Sequence, residues 1–480
     1  MELLFESRLD LRNFEGKVYF FQREPDIHPD PVLEGDNAGD GAGASIYGSV
    51  LHDGGRYRMW YQAWPREWDG GDVASVGYAE SNDGIAWRKP SLGLVDCNGM
   101  DNNLCDLGFH APSVFIDPDA DASRRYRATG CSSRRYIGAH VDVTDGGYYT
   151  AHSSDGLHWE LDTPSPTWRS SDVITSICHP GRSGAQVAMK FGPRLGGFRR
   201  RSVWTAALNN GEWTEPRAAL IPDEFDDVSA RARGYDSGDY YGMGMLPAGQ
   251  ATVAFLWQFR HNLPRTAGNG GGVFGTVDIT LAYQSGDGDR WVHLPGRPDF
   301  LTHGTTAWTE GGLYSAANVT EAGDEHRLYL TGATRSHGWY VDTEWKLIEA
   351  RKQQLIDDGL ARIGFAHWPK WRLFGFRGDP EGTFDIDLGP VDQPSQLRLN
   401  YEADRGGSIR AHLMLTSPDG STNIEERSDA DAVRLTGDSV GQVVAWKGGD
   451  VIQPSGGRPV TARLSLECAS VYAFELVPAL

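Results

Sequence analysis

Carboxylate, amide and imidazole side chains stand just ahead of several short apolar runs in this sequence. Asp36 and Asp40 precede residues 46–51, and Asn102, Asn103 and His110 precede 113–116. Asp172 precedes 173–175, Asp236 and Asp239 precede 241–245, and Glu310 precedes 312–317. If each run is the innermost strand of a radial array, these residues converge at one mouth although they are far apart in sequence. Such a set suits glycoside hydrolysis. There one carboxyl group protonates the leaving oxygen, and a second attacks the anomeric carbon or activates water. By position the candidates are Asp40, Asp172, Asp239 and Glu310. Glu310, close to Trp308, is favoured as the acid. His110, Arg200, His337 and Asn103 are placed to orient hydroxyls or a carboxylate, and Trp60, Trp64 and Trp308 offer rings that stack on a sugar. Each has a plainer reading. Asp40 sits in Gly39-Asp40-Gly41 and suits a turn, Asp172 suits a strand cap, and most of the 16 tryptophans must be core.

The elements that would position them follow from a repeat. Ser81-Asn82-Asp83-Gly84-Ile85-Ala86-Trp87 returns as Ser153-Ser154-Asp155-Gly156-Leu157-His158-Trp159 and as Ser285-Gly286-Asp287-Gly288-Asp289-Arg290-Trp291. A degenerate copy is Asn209-Asn210-Gly211-Glu212-Trp213. The Asp-Gly step is a hairpin signal, because Gly accepts positive φ and Asp bonds nearby backbone. The tryptophan then anchors the next strand. Successive repeat tryptophans lie further apart than the roughly 40–50 residues of short blade repeats, so five blades fill residues 41–369 better than seven. An N-terminal strand, with 17–21 as a candidate, is expected to complete the last blade. Residues 347–355 are expected to form a short helix within blade five, and 338–341 its third strand, with 363–366 outside it.

Beyond Trp368-Pro369 the pattern changes to longer alternating strands separated by turns such as Pro418-Asp419-Gly420 and Gly448-Gly449-Asp450. The expected architecture is all-β: a five-bladed β-propeller over 1–369, then a β-sandwich over 370–480.

Composition sets further bounds. The 480-residue chain carries a formal charge of −20, which argues against non-specific nucleic-acid binding. No apolar run is long enough to span a membrane, and residues 1–10 have no signal-peptide pattern; a cytoplasmic protein is expected. The five scattered cysteines suggest neither a disulfide framework nor a zinc site. No His-x-x-x-His pair exists among the 14 histidines, and Gly268-Asn269-Gly270-Gly271-Gly272 lacks the lysine of a phosphate loop. No metal or cofactor is therefore expected.

The propeller-plus-sandwich pattern resembles the invertase and fructan-hydrolase family, and the propeller alone the arabinanase and xylosidase families. A closer likeness is to a bacterial group of glycosyl-hydrolase-like propeller proteins. It rests on Met59-Trp60-Tyr61, Tyr78-Ala79-Glu80-Ser81, Lys89-Pro90-Ser91-Leu92-Gly93-Leu94, Asp101-Asn102-Asn103, Arg125-Tyr126, Tyr241-Gly242-Met243 and Trp308-Thr309-Glu310-Gly311-Gly312. In the C-terminal region it rests on Leu397-Arg398-Leu399-Asn400, Gly437-Asp438-Ser439 and Trp446-Lys447-Gly448-Gly449. The invertase nucleophile motif Asn-Asp-Pro-Asn is absent. Ile116-Asp117-Pro118 and Glu467-Cys468 only echo that family's other two motifs, so no catalytic residue is carried over. The resemblance implies the fold and a carbohydrate substrate. The expectation is a glycoside hydrolase acting on a small oligosaccharide or glycoside. The alternatives are a non-catalytic sugar-binding propeller and a sugar lyase or isomerase using the same pocket.

Overall fold

The computed structural model describes residues 1–4, 11–70, 73, 75–132, 145–170, 172–179, 184–192, 200–209, 211–262, 274–285, 290–342, 346–417 and 420–479, with backbone alone at 194–195 and 198–199. The Gly268–Gly272 run, most of the third repeat copy, Asn210 and Pro418-Asp419 lie outside the described residues.

Five antiparallel sheets follow one another in chain order. Blade one holds Gly43–Asp53, Arg56–Trp64 and Val76–Ser81. Blade two holds His110–Ile116, Tyr126–Ser132, Gly147–Ser153 and Glu160–Leu161. Blade three holds Ile174–Cys178, Ala185–Phe191 and Ser202–Asn209, edged by Glu212–Trp213 and Arg217–Leu220. Blade four holds Ser237–Ala248, Ala251–His261 and Gly275–Gln284, edged by Trp291–His293 and Asp299–Leu301. Blade five holds Gly312–Ser315, Glu325–Ala333, Ala361–Pro369 and, as its outermost strand, Asp26–Ile27.

A circuit of hydrogen bonds joins the five inner strands. Val114 N–H donates to Ser49 Oγ (2.9 Å), Ser176 N–H to Ser113 Oγ (2.8 Å) and Thr175 Oγ1 to the Met243 carbonyl (2.6 Å). Met245 N–H then donates to the Ala317 carbonyl (2.8 Å), and Ala317 N–H to the Gly48 carbonyl (2.9 Å), which returns to blade one. Near the axis the strands approach closely. A Cβ at Gly244 would lie 2.3 Å from the Ala316 carbonyl oxygen, so only glycine fits there.

The repeat turn is a staple between blades. In blade one Ser81 Oγ accepts from the N–H groups of Asp83 and Gly84, and Asp83 Oδ1 accepts from those of Ile85 and Ala86. Blade two repeats this with Ser153 and Asp155. Both glycines have positive φ, +73° and +81°. The Gly84 carbonyl accepts from Trp87 Nε1 and from Tyr329 Oη of blade five; the Gly156 carbonyl accepts from Trp159 Nε1 and from Trp60 Nε1 of blade one. Each turn therefore ties its own tryptophan to the blade before it.

Three assignments within the ring change. The strand over 17–21 exists, within Leu11–Gln22, but pairs with Phe374–Pro390 in the C-terminal sheet, where Leu11 and Phe20 pack against that sheet's core. The ring is closed instead by Asp26–Ile27 beside Ala366 and His367. Residues 338–341 form no strand beyond a single bridge at Val341; the third strand of blade five is Ala361–Pro369, whose Ile363 and Phe365 are buried. The expected helix forms over Glu349–Asp358. A second helix, Glu224–Ala232, was not expected; a capping box between Asp223 and Asp226 starts it.

The C-terminal region is one seven-stranded antiparallel sheet built on Phe374–Pro390, Pro459–Pro478 and Ser395–Ser417. Bulges between Gly378 and Glu381 and between Ala403 and Ser408 both face residues 467–469. The long strands therefore bend along one line, and the sheet folds onto itself as a sandwich. Phe376, Leu399 and Val471 from one half meet Ile386, Leu413 and Leu464 from the other in a single core. Among the described residues, no helix is long and apolar enough to cross a membrane.

Candidate functional site

Each inner strand brings one side chain to a common cluster, or is preceded by one. These are Tyr47 of blade one, His110 of blade two, Asp172 of blade three, Tyr241 of blade four and Tyr314 of blade five. The Tyr47 ring lies 5.3 Å from Tyr314, 5.8 Å from Trp257 and 6.1 Å from His110; Tyr241 lies 5.8 Å from Tyr314. The rings form an aromatic wall around one acid.

That acid is Asp172. It leaves 33% of its side chain exposed, yet one oxygen is ion-paired and hydrogen-bonded to Lys190 of the neighbouring strand. His110 Nε2 lies 3.7 Å from its other oxygen, and Tyr241 Oη donates to Oδ2 at 3.3 Å. Since the phenol donates there, its oxygen accepts from His337 Nε2–H at 3.1 Å, giving a chain from His337 through Tyr241 to Asp172. Lys190 Nζ also sits 3.7 Å from the Tyr241 ring centroid. Burial alone would raise the Asp172 carboxyl, but Lys190 and His110 outweigh it and hold the group well below the usual carboxylate range. Burial pushes the Tyr241 and Tyr47 phenols well above theirs, so both stay protonated.

The backbone here is strained. Asp172 has φ +93° and Ala111, next to His110, +52°. Side-chain-bearing residues in this region cost about 1–3 kcal/mol each and cluster at functional sites.

Asp239 is brought near but sealed. It is 1% exposed, accepts from the Arg201 main chain (3.1 Å) and guanidinium (3.2 Å) and from Arg200 Nε (3.3 Å), and lies 3.2 Å from His261 Nε2. Burial raises its carboxyl, and His261 and Arg201 more than offset this. From Asp239, Arg201 reaches toward the cluster, its guanidinium lying 5.9 Å from the Tyr241 ring and 5.0 Å from Phe259. Arg200 is tied to Asp227 of the unexpected helix and to the Gly238 carbonyl. Asp236 stands ahead of the strand and donates its N–H to the His261 carbonyl.

The remaining candidates fall elsewhere. Asp40 is fully buried and accepts from Asp36 N–H, Asn37 N–H, Tyr61 Oη and Lys89 Nζ, which makes it the organiser of a turn. Asn103 is buried against Tyr61 Oη, the Tyr78 carbonyl and Asn37; Asn102 is buried and bonded to the carbonyls of Val95 and Met100. Trp60 is fully buried between blades one and two, and Trp64 bonds Ser45 Oγ. Trp308, 2% exposed, fills the space over Gly332 and Gly364 of blade five and donates to the His28 carbonyl, so it cannot offer a face to a sugar. Glu310 is exposed and makes no hydrogen bond or ion pair among the described residues. It does not join the Asp172 cluster.

Of the candidates named from the sequence, the Asp172 cluster thus draws on His110, Asp172 and His337, with Asp239 and Arg200 behind it. Sequence reasoning missed Lys190, Arg201, Tyr47, Tyr241 and Tyr314 as site residues. A usable signal existed at Lys190, a lone cation in the apolar strand Ala185–Phe191.

No family model matches the chain. Two curated uncharacterised proteins from two strains of Mycobacterium tuberculosis are each 30% identical over 173 residues, which is 34% of this chain and 50% of theirs. The chain spans about half the length of these relatives. Among solved structures, a glycosyl hydrolase from Bacteroides ovatus has 13% identity and TM-score 0.42, covering 75% of this chain and 98% of that one. An N-acetylgalactosamine deacetylase from F. plautii has 16% identity and TM-score 0.41 (73% and 96%). A β-1,2-mannobiose phosphorylase from Listeria innocua has 10% identity and TM-score 0.41 (73% and 96%).

Proposed function

We propose that the chain is a carbohydrate-active enzyme whose substrate enters the propeller channel and meets Asp172. The observation that carries this reading is an ionised, part-exposed carboxylate on strained backbone, encircled by one residue from each blade. Aromatic walls suit the C–H faces of a sugar, and a fixed carboxylate suits its hydroxyls. Held ionised, Asp172 suits the role of nucleophile, or of a fixed charge facing a developing cation, rather than that of acid. The chain His337–Tyr241–Asp172 orients the carboxylate. Glycoside hydrolysis is the reaction this supports best.

A second reading is a sugar-binding channel without turnover. It is favoured by one fact: among the described residues, the other carboxylate near the cluster, Asp239, is sealed from solvent. Screening a panel of glycosides and short oligosaccharides for released reducing sugar, then repeating the assay with Asp172→Asn, separates the two. Hydrolysis predicts activity that the substitution abolishes while binding persists. Binding of a sugar with no turnover of any panel member supports the second reading, and full activity in the variant refutes the role of Asp172.

A further inference from the structure

The first two repeat turns differ in what happens beyond the tryptophan. Trp159 is buried, and the chain passes directly into the edge strand Glu160–Leu161. Trp87 remains partly open and lines a cavity of about 520 Å³. The cavity lies where the segment 32–37, leaving the edge of blade five, passes the loop that leads from blade one to blade two. Lys89, Ser91 and Asp101 complete its polar wall.

Most of the polar groups in this wall are already satisfied. Trp87 meets Tyr329 of blade five edge-on at 5.8 Å. Lys89 Nζ is shared among the Glu34 carbonyl, Asp36 (2.8 Å) and Asp40 (2.6 Å). Two carboxylates still have room for a donor. Asp36 is 72% exposed, and Asp101, also exposed, accepts from Ser91 Oγ on one oxygen. The second oxygen of each has no donor among the described residues. An indole flanked by acceptor oxygens selects a ligand with several O–H donors, an apolar face and no negative charge. The cavity volume is in the range of small-molecule sites.

We propose that this cavity is a second, non-catalytic site for a neutral mono- or disaccharide, gripped by Trp87, Asp36 and Asp101. It lies outside the channel and does not depend on the chemistry there. The test is calorimetric titration of the full chain carrying Asp172→Asn, which prevents turnover. The probes are glucose, galactose, mannose, maltose, lactose and cellobiose, with glucuronate as an anionic control. At least one neutral sugar should bind. Trp87→Ala and, separately, Asp101→Ala should each weaken it about tenfold or more, and glucuronate should bind at least about tenfold more weakly. Asp101 is a surface side chain, so its variant remains readable if Trp87→Ala fails to fold. The proposal is overturned if none of these sugars binds. It is also overturned if glucuronate binds as tightly as the neutral sugars, or if binding is unchanged by Asp101→Ala and lost on Tyr314→Ala in the channel.

Discussion

Asp155 on the rim of blade two and Asp172 in the channel are both held ionised, by donors of opposite origin. At Asp155 burial raises the carboxyl, but the His158 and Leu157 amides, the His158 ring and the Ser153 hydroxyl bring it to about 2. Every one of those donors lies within three residues. At Asp172 the same burial is overcome by Lys190, 18 residues away, and by His110 on another blade. The rim carboxylate completes its own turn, whereas the channel carboxylate reaches that state through a neighbouring strand of its own blade and a residue of the blade beside it. One is a building part, the other a product of the building.

The difference is largest in turnover. Asp172→Asn should lower kcat on an active glycoside by about 10²–10⁴, with the melting temperature changing far less. A rim substitution should leave kcat alone. Lys190→Met removes the cation and leaves a part-exposed carboxylate with His110 and Tyr241 still beside it, so it should cost less than the about 3–5 kcal/mol of a fully buried broken pair. Its sign with pH is definite. A carboxylate whose folded pKa is depressed adds stability above its unfolded value, near 3.9, and loses it as pH falls through the folded value. In the native chain that loss lies well below the ordinary carboxylate range; in Lys190→Met it should move upward, visible in thermal melts at successive pH values from about 7 to 3.

Smaller effects belong to the rim. Gly156→Ala places a Cβ 2.7 Å from Trp60 at φ +81°, and should cost about 1–3 kcal/mol in denaturant unfolding without altering kcat. Asp83→Ala removes the carboxylate oxygen that accepts from two backbone amides at an exposed turn and should cost only about 0.5–1.5 kcal/mol. A loss of turnover in either rim variant would erase the distinction drawn between the two acids.

The same contrast explains what was legible in advance. Ser, Asp, Gly and Trp at fixed spacing announce the rim turn because the hydrogen bonds that define it are local. Asp172 was reachable too, as a polar residue just ahead of an inner strand. Its partners were not, because Lys190 and Tyr241 read as ordinary strand residues until the strands are placed. Trp308 and Glu310 misled for the converse reason. Their adjacency suggested a sugar site, but one side chain fills the packing space over two glycines and the other points to solvent. The unexpected helix Glu224–Ala232 follows the same logic: its cap is local, but it is short and carries a run of acids easily taken for a loop.

Ring closure also imposes an order of events on synthesis. The strands Leu11–Gln22 and Asp26–Ile27 pair with Phe374–Pro390 and Ala361–Pro369, so their partners are synthesised only after blades one to four. Until then residues 11–27 carry unsatisfied β edges, while blades one to four have already been made. Such distant pairings slow folding and invite capture by another nascent copy. Opening the backbone at the exposed Gly54-Gly55 turn and joining residue 480 to residue 1 would make these partners neighbours in time, while making Gly43–Asp53 and Arg56–Trp64 the distant pair instead.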